Sequence, residues 1–206
     1  QASNMAATFN RIINGAMTVD QRNAGASVTP TTLYTTYTLD RWNTVYSTAS
    51  KFSVQQNAGS VTPPAGFTNY LGVTSLSAYS VPSNEQYTLV QNIEGFNVAD
   101  LDFGKSTAKT ITLSFWVRSS LTGTFGGALN GANGTRSCPF SYTVSAANTW
   151  EQKSITIPGD TTGTYDTTTG RGINLRFGLG VGATYSGTAG AWSASNLFST
   201  TGAVSV

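Results

Sequence analysis

Residues 110–119, TITLSFWVRS, carry the pattern that decides the fold class of this chain. Apolar side chains stand at every second position, so in an extended strand they share one face: Ile111, Leu113, Phe115 and Val117. Residues 172–181, GINLRFGLGV, repeat this period of two, with apolar residues on one side. Two strands with one polar face each predict an antiparallel sheet that packs its apolar face on a core.

Weaker strand signals fill much of the remaining chain. β-branched and aromatic residues are concentrated in further stretches that turn-forming residues separate: 51–56, 70–79, 86–94, 140–144 and 151–157. No stretch has a sustained helical period. We therefore predict an all-β protein, an antiparallel β-sandwich of the jelly-roll type, built as a single domain with long Gly/Ser/Thr loops.

Stretches rich in turn-forming residues are predicted as long loops: 57–67, 121–136, 160–172 and 185–192. Residues 1–32 lack alternation and are predicted to form an extended N-terminal anchoring segment ahead of a sandwich over residues 33–206. Residues 201–206 begin a β-prone segment that then stops. We expect the sandwich to continue beyond residue 206 or to be completed by a neighbouring molecule.

The composition excludes several function classes. Charged residues make up 10% of the 206 residues, the net charge is +2, and Ser and Thr supply about a quarter of the chain. Because histidine is absent and Cys138 is the single cysteine, the chain can build no His-based catalytic relay, no Cys/His zinc site and no internal disulfide. The cationic residues are dispersed and apolar runs are short, so we expect no nucleic-acid and no membrane partner.

Short segments in a fixed order carry a resemblance to a known family. They are NRIINGAM at 10–17, DQR at 20–22, YTLDRW at 37–42, QNIEG at 91–95, LSFWVRS at 113–119, PFSYT at 139–143, NTWE at 148–151, ITIPGD at 155–160 and GTAGAW at 187–192. As an ordered set, they resemble a family of bacteriophage virion proteins, usually tail-fibre or other tail-associated proteins. The distal domain of that family looks like the jelly-roll of carbohydrate-binding modules.

The resemblance implies a location in the virion, contacts with other virion proteins and a homo-oligomer, trimers being common in fibres. It leaves two hypotheses open. The first is a non-enzymatic structural protein, tail- or fibre-associated, whose jelly-roll recognises a host cell-surface glycan. The second is a capsid decoration or tail adaptor protein that acts only through protein–protein contacts. An exposed aromatic cleft would favour the first, and aromatics hidden in symmetric contacts would favour the second.

The carboxylates give little indication of catalysis, and we expect no enzymatic activity. A glycosidase needs two carboxylates that face each other, an arrangement that no spacing in this sequence predicts. Asp100 and Asp102 would share a strand face, and with Asn97 they could ligate a structural calcium ion. No known calcium-loop spacing is present, so we interpret these residues as turn caps and expect no cofactor.

Sugar binding has the most specific candidate residues. The C–H faces of sugars stack on aromatic rings, and their hydroxyl groups bond to amides and guanidinium groups. Trp116 and Arg118 lie on the polar side of one predicted strand, and Asn174 and Arg176 lie on that of the other. If the two strands are neighbours, these four residues form one carbohydrate-binding patch; alternatively, a loop or another subunit covers Trp116. Two other tryptophans are predicted to be core or edge anchors: Trp42 and Trp150.

Overall fold

The structure is a computed structural model that describes residues 9–31 and 36–206, and its regular elements are strands. In chain order they are β1 (Thr36–Leu39), β2 (Trp42–Tyr46), β3 (Phe52–Gln56), β4 (Leu71–Ser75), β5 (Gln86–Glu94), β6 (Ile111–Val117), β7 (Gly123–Gly131), β8 (Ser137–Val144), β9 (Glu151–Ile157), β10 (Arg171–Val181), β11 (Ser186–Gly187) and β12 (Ser199–Thr200). Short 3₁₀ turns lie at Ala58–Ser60, Gly95–Asn97, Ala99–Leu101 and Ala183–Tyr185. No helix among these residues could span a membrane. The predicted all-β fold is confirmed.

One layer of the sandwich is a six-stranded antiparallel sheet in the order β1-β2-β5-β10-β7-β8. The predicted strand at residues 172–181 corresponds to β10, which lies inside this sheet between β5 and β7. Its alternate residues Ile173, Leu175 and Phe177 pack in the core, as their spacing predicts. β10 therefore pairs with a strand on each of its edges and lies near the middle of this layer.

The second layer consists of two antiparallel ribbons, β3–β4 and β6–β9. The ribbon β6–β9 packs on an apolar cluster that includes Phe140 and Leu175, and β3–β4 packs on a smaller cluster around Tyr46 and Tyr87. Phe177 of β10 contacts both clusters. Because the two ribbons cover the same side of the six-stranded sheet, the predicted sandwich is confirmed.

The predicted loop at residues 121–136 is wrong over most of its length, because residues 123–131 form β7. Its glycines admit close neighbours: a Cβ added at Gly127 would lie 2.2 Å from the carbonyl oxygen of Arg176 and 2.4 Å from the Phe140 ring. A Cβ at Gly126 would lie 2.3 Å from Ser199 Oγ on the other side of the sheet. Glycine here permits tight packing on both faces, where the sequence pattern predicted a long loop.

The N-terminal segment packs against the sandwich. Ile12 and Met17 contact the larger apolar cluster. The backbone of Ile13 exchanges two hydrogen bonds of 2.9 Å with the buried side chain of Gln91 on β5. Val28 bridges β3 at Val54. The predicted boundary between residues 32 and 33, and the first eight residues of the predicted segment, lie outside the described residues.

A segment near the end of the chain covers the outer side of the six-stranded sheet, the side away from the ribbons. β12 pairs in parallel with β11 and lies over β7 and β8. Asn130 Nδ2 of β7 donates a 2.8 Å hydrogen bond to Leu197 O, and Ser137 Oγ of β8 donates one of 2.5 Å to Ser195 O. We call residues 193–200 the cover segment.

A buried ion pair joins the two layers at one end. Asp160, which follows β9, accepts hydrogen bonds of 2.7 and 2.6 Å from Arg136, which precedes β8. Tyr165 and Thr162 also donate to this carboxylate. Burial acts to raise the pKa of Asp160, but these hydrogen bonds outweigh it and hold that pKa below its ordinary value.

Candidate carbohydrate-binding faces

The four predicted carbohydrate-binding residues lie on opposite outer faces of the sandwich. Trp116 and Arg118 belong to the outer side of the ribbon β6–β9, whereas Asn174 and Arg176 belong to the outer side of the six-stranded sheet. The prediction that they form one patch is wrong, because β6 pairs with β9 and not with β10. Both strands turn their apolar sides toward the same core, so their polar sides point away from each other.

The first face is an exposed strip of polar side chains around one indole, which we call the ribbon face. Its members are paired across the two strands as Thr112–Thr156, Ser114–Ser154 and Trp116–Gln152. All of them are exposed, and Trp116 is 36% exposed. The described part of this chain therefore leaves Trp116 open to solvent.

The chemistry of the ribbon face is that of a neutral polar surface with an aromatic platform. The Ser114 and Ser154 hydroxyl oxygens are 3.3 Å apart. Arg118, just beyond the end of β6, donates from Nε to the carbonyl oxygen of Asn148 at 2.9 Å, which fixes its side chain beside the ribbon end. An aromatic ring, a side-chain amide and several hydroxyl groups on one flat surface can bind a sugar by stacking and hydrogen bonding.

The second face, which we call the sheet face, contains a row of asparagines on neighbouring strands, two of them buried and one half-buried. Asn92, Asn174 and Asn130 are paired in register on β5, β10 and β7. The Oδ1 atom of each is buried without a hydrogen-bond partner among the described residues. An unsatisfied buried acceptor costs about 1–3 kcal/mol, so this row is an energetically expensive part of the fold.

Arg176 lies on the same face, two residues beyond the row. Its guanidinium carbon is 4.4 Å from the centre of the Phe198 ring in the cover segment. Nη1 reaches Gln86 Oε1 and Thr88 Oγ1 only at 3.5 Å, and Nε is buried without a partner. Burial, with a smaller contribution from nearby Arg171, lowers the pKa of Arg176 to about 10.

The remaining tryptophans have structural contacts. Trp42 is 4% exposed in the core, as predicted. Trp150 packs edge-on against Tyr70 and donates from Nε1 to Thr62 O at 2.8 Å, which confirms the predicted anchor at a strand edge. Trp192 packs against two aromatic rings and donates from Nε1 to Pro158 O at 2.6 Å. Trp116 differs from these three tryptophans in being exposed on an outer strand face.

The residues considered for calcium meet cations of the protein instead. Asp100 pairs with Arg11 at 2.7 Å, and Asp102 pairs with Lys105 at 2.7 Å. No group of three His, Cys, Asp or Glu side chains suited to a metal ion occurs in the part of the chain that the structure describes. Asp100 thus ties the N-terminal segment to the 3₁₀ turn, and Asp102 pairs within its own turn.

Sequence reasoning missed several residues that shape the two faces. Gln152 and Ser154 could have been found, because residues 151–157 alternate in the same way as β6. Phe198 could not, since nothing in its local sequence indicates contact with Arg176. Away from the two faces, the carboxylate of Glu85 was also missed. It accepts hydrogen bonds from the Tyr87 hydroxyl at 2.5 Å and the Tyr79 hydroxyl at 3.0 Å. The Tyr87 hydrogen bond is the main cause of the lowered pKa of Glu85.

Comparison with known proteins gives one structural similarity. No family model matches this chain, and no curated protein matches it. Among solved structures, the chain is similar to the enzymatically active domain of tailspike protein 4 from bacteriophage CBA120, with 13% identity and a TM-score of 0.42. The similarity covers 77% of this chain and 19% of that chain, so this chain spans about a fifth of its neighbour's length.

This comparison contradicts the expectation of a non-enzymatic protein, because the similar chain is described as an enzymatically active domain. We withdraw that expectation. The absence of histidine excludes His-based relays, but glycosidases work with carboxylates, and this chain has nine. The similarity itself assigns no catalytic residue to this chain.

Proposed function

We propose that this chain is a tail-associated virion protein of a bacteriophage whose sandwich binds a host cell-surface glycan through the ribbon face. The virion assignment is supported by the ordered sequence segments between residues 10 and 192. The binding site is supported by the arrangement of side chains on β6 and β9. Partners in the virion and assembly as a homo-oligomer, trimeric in a fibre, belong to the same proposal.

The exposed indole of Trp116 is the observation that carries the binding proposal. It lies on a flat strand surface, paired with Gln152 and followed along the strands by the Ser114–Ser154 pair. Stacking of a sugar ring on an indole requires a solvent-facing ring, and hydroxyl and amide groups at either side fix the orientation of the sugar. The other tryptophans make packing contacts and donate their indole N–H groups to backbone oxygens.

The low charge of the ribbon face favours a glycan over a protein partner that docks by charge. Its paired side chains are uncharged, and the cation Arg118 lies at the ribbon end. Neutral hydroxyl and amide groups lose little hydration energy when sugar hydroxyls replace water. The face therefore offers many weak polar contacts around one aromatic platform.

Trp116→Ala tests this proposal. Binding to an array of bacterial surface polysaccharides is measured for the wild-type chain and for the variant. Removing a stacked aromatic ring should weaken binding of the polysaccharides that the wild type recognises by about tenfold or more. Thermal unfolding should be nearly unchanged, because the ring is exposed.

Phe96→Ala is the matched control, since Phe96 is an exposed aromatic residue, 58% exposed, that lies outside the ribbon. It should bind like the wild type. If the wild type binds no polysaccharide while the chain is found in assembled particles, the capsid decoration or tail adaptor function holds instead. If Trp116→Ala binds as well as the wild type, the ribbon face is not the site.

A further inference from the structure

We infer that the sheet face holds a second binding site, in which Arg176 receives the carboxylate of an acidic sugar. This inference rests on the proposed glycan-binding function but concerns the opposite side of the sandwich from Trp116. It adds that the glycan contains a sugar with a carboxylate group.

The guanidinium of Arg176 is a cation without a counter-ion. Its neighbours are the neutral side chains of Gln86 and Thr88 and the ring of Phe198. Among the described residues, no salt bridge reaches it, whereas the buried Arg136 has Asp160. Burying an unpaired cation costs several kcal/mol, while a cation–π contact returns about 1–2 kcal/mol. A bound anion would supply the missing charge.

The protein holds this cation in one orientation. Beyond Arg176, the next two positions on the outer side of β10 are Gly178 and Gly180, and residues of other segments fill the space over both, including Ser205 over Gly180. A Cβ at Gly178 would lie 3.0 Å from Ser199 Oγ of the cover segment. The arginine side chain thus lies toward β5, below Phe198, and its Nη2 atom has no hydrogen-bond partner among the described residues.

A carboxylate fits the available donors. A guanidinium group binds a carboxylate through two parallel N–H groups, which a sugar hydroxyl cannot match in strength. The half-buried Gln86 beside it can bond to a hydroxyl group of the same sugar. Uronic acids and related acidic sugars combine a carboxylate with several hydroxyl groups. A phosphate group shares part of this chemistry and is therefore an arm of the test.

The experiment follows the side-chain Nε–H signal of Arg176 by NMR, assigned by its loss in Arg176→Lys. The full chain is titrated to about 100 mM with glucuronate, glucose or inorganic phosphate, which covers dissociation constants in the millimolar range. Glucuronate should shift this signal with saturation and glucose should not. A response to phosphate equal to that of glucuronate would overturn the carboxylate assignment, as would no response to either.

Variants separate this site from the ribbon face. Arg176→Gln should weaken glucuronate binding by about tenfold to a hundredfold, and Trp116→Ala should leave it unchanged. Arg171→Gln, an exposed arginine on the same strand, is the matched control. Arg176→Met should keep or raise the midpoint of thermal unfolding without ligand; a large decrease would show a structural cation and overturn the inference. If the chain binds glucuronate but binds no neutral glycan, the proposed site on the ribbon face is wrong and the site at Arg176 stands.

Discussion

The ribbon face and the sheet face come from the same sequence pattern and have opposite environments. β6 and β10 each alternate apolar and polar residues, and each turns its apolar side to the shared core. On β6 the polar side is open to solvent, whereas on β10 it is largely covered by a later segment of the chain and Arg176 is half-buried. Alternation therefore predicts which residues share a face, but it does not predict what lies on that face.

The difference arises from a long-range contact. The cover segment lies about twenty to seventy residues further along the chain than the strands that it covers, and small residues admit it: Gly126, Gly178 and Ser137. The ribbon face has no glycine at its paired positions, and no described segment packs on them. The following changes test how far the two faces differ in what they contribute to stability.

The largest effect is expected where the two layers are joined. Asp160→Asn removes the charge that pairs with Arg136 and leaves a largely buried cation, so the free energy of unfolding should fall by about 3–5 kcal/mol. Urea unfolding at neutral pH measures it. Asp166→Asn is the control: Asp166 is exposed in the same loop, and its substitution should cost less than about 1 kcal/mol.

The pH dependence checks the cause of that loss. The pKa of Asp160 is lower in the folded chain than its unfolded value of about 4, so its stabilising contribution is complete above that pH. The contribution is lost as the pH falls through the folded value. The difference between the wild type and Asp160→Asn should therefore shrink in acid. A constant difference would show that packing, not charge, is responsible.

A smaller effect is expected from enlarging a side chain under the cover segment. Gly126→Val places a Cβ 2.3 Å from Ser199 Oγ and 2.8 Å from Thr200 N, so the cover segment must move. We expect a loss of about 1–3 kcal/mol in urea unfolding. Ser114→Val, the equivalent change on the ribbon face, should stay within about 0.5 kcal/mol. Equal effects at the two sites would remove the contrast between the faces.

The smallest effect should have the opposite sign. Asn174→Leu replaces a buried amide, whose oxygen has no partner in the described chain, with an apolar group of similar size. The free energy of unfolding should rise by about 1 kcal/mol. Thr112→Leu on the exposed ribbon face should leave it unchanged. Destabilisation by Asn174→Leu would mean that the amide oxygen is satisfied, for example by a buried water molecule.

The sequence predicted most strands of the two main layers and missed β1, β2 and β7. β6 and β10 follow stretches with clear alternation, and β3, β4, β5, β8 and β9 fall in stretches with weaker signals. β7 was predicted as a loop because glycine weakens a strand signal, although Gly127 is needed for close contact with Phe140 and Arg176. In general, local pattern reports on local geometry, and close packing between distant segments leaves no local pattern.

The candidate sites show the same division. The side of the strand on which Trp116, Arg118, Asn174 and Arg176 lie was predicted correctly from the period of two. Their grouping into one patch was wrong, because it required β6 and β10 to be neighbours, and strand order depends on pairing across the whole chain. The contact between Phe198 and Arg176 could not be predicted for the same reason.

The openness of the ribbon face has a consequence for how the protein can change over time. Its paired side chains point away from the core, so exchanging them leaves folding almost unaffected. New combinations of residues at these positions can arise by single mutations and be selected for what they bind alone. The same property makes this strip a practical place to install a randomised library on an intact scaffold, whereas the sheet face would reject most of its members.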